Sequence, residues 1–559
     1  AELMDEAEWA ECDLCERLPH AAEGDFAQHW HQTLQFLSIV TSVWPAWLAE
    51  QGVMNPVARQ TALLHAQAAR WRDSPPPAGY PVWAAGFSDA VPSTIVMLRA
   101  VLDQPDGMLI LPGVDMECDD AIWRHLPPDH PQAGTAHMLA QLGVERAGME
   151  IWSSLPHDCV ASSPVSRASL LSRALLPAHA LERWRERDVP VEADGLSILR
   201  SADQQEEAAA IAMVLRQVLE RPGRRAALVT PDRALAGRVA TELVRWGVVA
   251  DDSAGESMLT VPQTAFLRLI VQAVDGGLSP VALLSAIKHP LAACGLSPGT
   301  CRASARQLER LVLRGPAPPP GIAGLRSALQ RATEDPHGAL ADAPDAPEEI
   351  SAFINRLETV FGPLLALPRD TMVPVSVLLA ALVETAQALA ATDTVDGAER
   401  LWAGEEGNAL GQHMSALLAW CDVLPDSRLG ALDGLLASSL AGMTVHGRRA
   451  VRGRDGMTAH PRVFIWGLLE ARLQTADTIV LGGLVETVWP PATDPGPWMS
   501  RPMRTRVGLP SPEWGIGQAA RDFVSCACAA GQVVLSVAAR RQGAPTVPAR
   551  GLVRLDAYL

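Results

Sequence analysis

The chain has 559 residues, 48% of them hydrophobic, and a formal net charge of −17. That much apolar material supports several cores rather than one, and the acidity argues against a surface that binds nucleic acid everywhere. No apolar run reaches the ~18 residues of a membrane span, and the acidic start, Ala1 to Glu16, is unlike a secretory signal. The 9 cysteines are odd in number and irregularly spaced, which suits free thiols in a reducing cytoplasm. The first residue is Ala and the last is Leu559, with no tail, so the sequence reads as a piece of a longer protein. Charge is uneven: residues 446–559 hold 14 Arg against 8 Asp plus Glu, a net of +6, which leaves −23 for the rest. A basic end on an acidic body is a local electrostatic footprint; compositional drift explains the totals equally well.

Residues 1 to about 78 read as helical, with Phe26, Trp30, Leu34, Phe36, Leu37 and Val40 near helical spacing. Pro75-Pro76-Pro77 breaks that region. A strand at 82–86, a helix from about Ser93 to Leu102 and a strand at 108–111 follow, an alternation that fits a RecA-like α/β domain. The pattern predicts one long helix from Pro164 to about Arg187, a short strand at 197–199, a helix from Glu206 to Leu219, a strand at 226–229 and a helix from Ala234 to Trp246. These make a second βαβ series. Residues 278 to about 430 are rich in Ala and Leu, with helices expected near 281–288, 304–313, 350–366, 376–391 and 409–420 and no strand signal. The α/β pattern returns with strands near 463–466, 478–481 and 533–536 and a helix at 517–529. The fold class expected is α/β: two RecA-like parallel-sheet domains with an all-α insertion. The expected boundaries are 1–195 for the remainder of the first domain, 196–277 and 431–559 for the two parts of the second, and 278–430 for the insertion.

The chain is organised around His460 to Pro490. Val463-Phe464-Ile465-Trp466 and Thr478-Ile479-Val480-Leu481 are short apolar runs stopped by Gly467 and by Gly482-Gly483, the pattern of buried parallel strands. Leu468 to Asp477 is long enough for a short crossover helix. Gly482 to Pro490 then forms a loop at the carboxyl edge, where open α/β sheets bind ligands. This stretch resembles the late helicase-like motifs of the AddB family, helicase–nuclease subunits of bacterial double-strand-break repair complexes, in their alphaproteobacterial form. The resemblance extends over AGFSDAVPST (Ala85 to Thr94), LILPGVD (Leu109 to Asp115), AALVTPDRALAGRV (Ala226 to Val239), WGVVADDSAG (Trp246 to Gly255), WMSRPMR (Trp498 to Arg504) and GAPTVPAR (Gly543 to Arg550). The ordered set is far more specific than any one of these motifs. It implies double-stranded DNA ends and single-stranded DNA as ligands, and an AddA-like helicase–nuclease subunit as partner. The family's iron–sulfur cluster and Mg belong to a nuclease domain beyond Leu559, and ATP to the partner. No cofactor is therefore expected in these residues.

Lysine limits the chemistry. The chain contains one, Lys288, after Ile287 and Ala286. A P-loop needs Gly-Lys-Ser/Thr, because the ammonium must reach the β- and γ-phosphates, and a nuclease of the Glu-x-Lys type needs its lysine beside metal-binding carboxylates. Neither pattern occurs. The strand at 82–86 ends in Ala-Ala-Gly, without a carboxylate to hold magnesium. No catalytic residue is expected. An ATPase with its P-loop upstream of Ala1, and a scaffold subunit that touches no DNA, remain as alternatives.

The DNA-binding candidates are Arg448, Arg449, Arg452 and Arg454 in a glycine-containing basic run, Trp489 in a loop, and Arg540 and Arg541 after the last strand. Arginines in such a loop contact phosphates bidentately, although a charge run is usually only solvated. Unpaired bases stack on exposed tryptophan; Trp466, at the end of a buried strand, reads instead as core. The family pattern Asn-Glu-Gly is replaced by Val485-Glu486-Thr487, a stiffer loop. Cys12 and Cys15 with His29 and His31 lack finger spacing for zinc.

Overall fold

The computed structural model describes residues 2–21, 27–77, 79–152, 164–185, 193–335, 345–445 and 462–559. The chain divides into two compact units, Ala1–Ser253 with Val451–Leu559, and Ala254–Ala450.

The first unit is a mixed α/β body. Strands β1 (Val82–Ala85) and β2 (Gly107–Ile110) form a separate parallel pair in which Trp83 lies opposite Met108. The main sheet contains β3 (Leu196–Ser201), β4 (Ala226–Val229), β5 (Asp251–Asp252), β8 (Val463–Trp466), β9 (Thr478–Leu481) and β10 (Gln532–Ala538). Its order is β3-β10-β9-β4-β8-β5, and every pairing is parallel. The strands are apolar on both sides because both faces are covered. Ala226, Leu228, Val463, Ile465 and Val480 meet the helices Gln204–Val218 and Arg233–Arg245. Their neighbours Ala227, Val229, Trp466, Ile479 and Leu481 meet Pro164–Ala174, Glu513–Cys528 and Arg550–Tyr558 on the other face. The strands expected at 82–86, 108–111, 197–199, 226–229, 463–466, 478–481 and 533–536 are all present to within a few residues.

Two expected helices differ. Leu468 to Asp477 holds only turns, with Leu473 at φ +62°. β8 and β9 flank β4, so this segment must cross a strand, and the span is shorter than the dozen or more residues a helical crossover needs. The long helix expected over 164–187 stops at Ala174, and a 3₁₀ segment, Ala178–Arg185, follows. Pro177 lacks the N–H and clashes with the preceding turn.

Among the described residues of the second unit the only strands are β6 (Glu256–Ser257) and β7 (Thr444–Val445), an antiparallel pair that joins the start of the unit to its end. Everything else regular is helical. The expected helices are Pro280–Ile287, Pro298–Leu308 with a π turn, Ala346–Leu365, Val375–Ala390 and Gly404–Trp420. Pro262–Asp275, Gly321–Glu334 and Ala431–Ser439 were not anticipated. One core of Leu, Ile and Val with Phe266, Phe353 and Phe361 holds the unit together. A bidentate Arg268–Asp433 pair ties the first of its helices to the last. Lys288 is paired with Glu309 on this unit's surface. No described helix is long and apolar enough to cross a membrane.

Arg167 closes the first unit from behind. It is 1% exposed and donates to the carbonyls of Ala527 (2.9 Å), Ala530 (2.7 Å), Asp194 (2.9 Å) and Gly531 (3.0 Å). The guanidinium thus sits at the negative end of the helix Glu513–Cys528 and satisfies carbonyls that the helix leaves open. Arg167→Met keeps the bulk and strands those carbonyls. It should cost about 2–4 kcal/mol, read as a lower urea midpoint for the α/β unit. An unchanged midpoint would remove this role.

Candidate functional site at the carboxyl edge

Chains leaving β3 and β4 enter helices on one face of the sheet, and those leaving β9 and β10 enter helices on the other. Adjacent strands β4 and β9 therefore part at their carboxyl ends, and in open α/β sheets such a parting makes the ligand crevice. Thr230-Pro231-Asp232 and Gly482-Gly483-Leu484 border it.

The two glycines are there for different reasons. A Cβ on Gly482 would stand 2.8 Å from Leu228 Cδ1 and 3.1 Å from Leu235 Cδ2, so close helix–sheet packing excludes a side chain. Gly483 has φ +74° and turns its N–H to Glu207 Oε1, 3.1 Å away. The same oxygen accepts from Ser536 Oγ at 2.7 Å. Glu207 is 2% exposed, and burial raises its carboxyl above the usual carboxylate value against the pull of these two bonds.

Asp232 holds the other side. Its Oδ1 accepts from the N–H groups of Ala234 (3.0 Å) and Leu235 (3.2 Å), capping the helix Arg233–Arg245. Its Oδ2 pairs with Arg541 at 2.8 Å. Asp203 caps Gln204–Val218 in the same way, through Gln205 N (2.8 Å) and Glu206 N (2.9 Å). Helix N-termini at this edge are the usual seat of a phosphate. Here both carry the chain's own carboxylates, so an incoming anion meets negative charge in place of open N–H groups.

The loop after β9 is fastened to the segment after β10. Glu486 N donates to Val547 O, and Ala549 N to Leu484 O. The Glu486 carboxylate accepts from Arg550 N at 3.0 Å and from Arg550 Nε at 2.9 Å. Two stretches far apart in sequence, GGLVETVWP and GAPTVPAR, thus form one structure through Glu486 and Arg550.

The candidate residues fare differently. Arg448, Arg449, Arg452 and Arg454 lie outside the described residues. Arg540 is exposed on the hairpin of β11 (Arg540–Arg541) and β12 (Ala544–Pro545). Arg541 points back to Asp232. Trp489 corrects the expectation of an exposed stacking platform: it is 1% exposed, donates Nε1–H to Ala519 O at 2.9 Å, and meets Phe523 edge-on. The loop folds inward, so the indole is no exposed platform at the protein surface. Trp466 is core, 8% exposed, and Trp498 stacks on Phe36. Cys12 Sγ donates to Val507 O, and Cys15 Sγ lies 3.3 Å from Ser42 Oγ. Sequence reasoning missed Glu207 and Asp232. The Asp232 cap was legible, because an aspartate directly precedes a helical pattern. Glu207 carried no signal, since a glutamate beside Glu206 reads as solvated.

No family model matches the chain, and no curated protein resembles it closely enough to count as a relative.

Glu207 makes stability depend on pH. Its folded pKa is raised, so the stability it contributes is complete below the ordinary carboxylate value, about 4.3, and is lost as pH rises through the folded value. Glu207→Gln keeps the acceptor oxygen and removes the charge. Its advantage over the natural chain in urea unfolding should grow from pH ~4 to neutrality; an offset that does not change with pH counts against the buried charge. Thr487 occupies φ +72°, a left-handed conformation costly for a β-branched residue. Thr487→Gly should therefore stabilise the unit by about 1 kcal/mol, and a loss of stability would show that the loop is not strained there.

Proposed function

We propose that this chain is a DNA-binding, helicase-like subunit of a bacterial helicase–nuclease complex that processes double-strand breaks, and that it grips DNA without hydrolysing ATP. One observation carries the reading. A parallel α/β sheet is interrupted, between the paired strands β5 and β8, by a helical unit of residues 254–450. An interruption of this kind supports the reading of a motor domain with an inserted helical subdomain. The β1–β2 pair with its helices is read as the remainder of a first RecA-like lobe, and the main sheet as the second.

Among the described residues, the edge of the same frame is closed to a phosphate. Asp203 and Asp232 cap the helix N-termini at the ligand edge, and the one lysine is engaged by Glu309 in the helical unit. A frame of this kind binds rather than turns over. In this reading the chain separates strands at a duplex end in the cytoplasm and passes one to a nuclease domain, beside an AddA-like partner that supplies ATP hydrolysis. The basic segment 446–454 and the hairpin arginine Arg540 supply the phosphate contacts.

Fluorescence anisotropy of the chain with a fork-ended duplex, over a salt series, tests this. Binding should be steeply salt-dependent. Reversing Arg448, Arg449, Arg452 and Arg454 to Glu should lower the slope of log K against log salt by roughly 3–4, near 0.9 for each phosphate left without its arginine; Arg540→Glu should lower it by about 1. Absent binding at low salt, or a slope indifferent to all five charges, would leave a docking scaffold that does not touch DNA.

A further inference from the structure

A cavity of about 270 Å³ lies under the loop that follows β9. Its lining is mostly apolar: Trp489 and Phe523 stand edge to face, 6.3 Å apart, with Ile516, Leu175, Pro131 and Pro177 around them. Its size is near the lower end of small-molecule sites, about 300–1,000 Å³, which suits one or two rings. Trp489 has already given its N–H to Ala519 O, so the indole offers this space only apolar surface.

Four polar side chains also line the cavity, and they are not equivalent. Arg550 is held by Glu486, with Asp129 3.9 Å away on its other side. His130 is 7% exposed, and its Nδ1 accepts from Gln132 N at 3.2 Å. Burial pushes His130 down to about 4, so at neutral pH it is an uncharged donor through Nε2. Arg554 is different. It is half-buried, donates to Leu176 O, and among the described residues has no carboxylate within ion-pair distance. Burial lowers its pKa, with the Asp129 charge opposing. A partly desolvated guanidinium with one carbonyl partner keeps donors unused beside an apolar space.

We propose that this cavity binds a planar apolar molecule carrying one anionic group, with the ring against Trp489, Phe523 and the prolines and the anion on Arg554. A bare inorganic anion would leave the apolar lining empty, and a neutral ring would leave Arg554 unpaired. A nucleotide has this chemistry, either free or as one unpaired residue of a single strand; only the second source rests on the DNA-binding reading.

The probe is anilinonaphthalene sulfonate, an aromatic anion that fluoresces when it enters an apolar site, with neutral N-phenylnaphthylamine as its uncharged counterpart. The intact chain should show a saturable single-site component. Arg554→Gln should weaken the sulfonate about tenfold, leave the neutral probe unchanged, and be partly rescued by Arg554→Lys. Ala520→Trp should fill the cavity and abolish both signals while circular dichroism still reports a folded chain. If Ala520→Trp unfolds, the two Arg554 variants decide alone. Sulfonate binding indifferent to Arg554, or absent, overturns the proposal. Three competitors identify the source. Displacement by dTMP but not thymidine supports a free nucleotide, and displacement by oligothymidylate alone supports a residue within a strand. Displacement by inorganic phosphate alone overturns the requirement for a ring. The probe needs no DNA, so the cavity can stand if the DNA reading fails, and the converse holds.

Discussion

A parallel sheet must be covered on both faces, and this constraint arranges the first unit. Alternate residues of β4, Ala226 and Leu228 against Ala227 and Val229, go to different helical layers, and all four are fully buried. Helices must therefore follow the strands to both sides, and the crevice between β4 and β9 is the geometrical consequence. The insertion obeys the same constraint. It leaves after β5 and returns before β8, and these two strands are neighbours, so a large helical unit enters without displacing a pairing. The β1–β2 pair stands apart. Trp83 and Met108, in register, are 57% and 43% exposed, and Trp152 meets Trp83 edge-on.

Charge at the carboxyl edge is settled internally. Two helix N-termini face the place where α/β proteins hold phosphate, and each is closed by an aspartate one residue before the helix begins. Arg541, the arginine at this edge, is drawn to Asp232. Buried Glu207 adds a carboxylate that burial disfavours as an anion, steadied by Gly483 and Ser536. The same residues that stabilise the edge make it a poor seat for a nucleotide phosphate. Among the described residues, Arg540 on its hairpin and Arg554 on the apolar cavity have no carboxylate within ion-pair distance.

Strands were the most legible part of the sequence. Runs such as Val463 to Trp466 are short, β-branched or aromatic, and bounded by glycine, and only a buried strand satisfies all three conditions. The failures have physical causes. The segment 468–477 has helical composition, but its end points are set by strand order, which no local pattern reports. The break after Ala174 follows from Pro177, whose effect on the backbone outweighs the helical spacing of the apolar residues around it. Trp489 reads as exposed because a tryptophan between glycines and prolines has the composition of a loop. The loop folds inward, since its indole N–H finds Ala519 O and its ring finds Phe523.

The sequence by itself determined the class of the protein: alternating short apolar runs and amphipathic stretches, an Ala- and Leu-rich block free of strand signals, one lysine, and hence no P-loop in these residues. These are properties of period and composition, and they need no knowledge of what lies across the sheet. Tertiary structure alone decided the order of the six strands, the meeting of Glu486 with Arg550, the burial of Glu207 and Arg167, and the cavity beside Arg554. Each of these joins residues distant in the chain, and the free energy of a buried charge or an unfilled donor depends on the neighbours that folding brings to it.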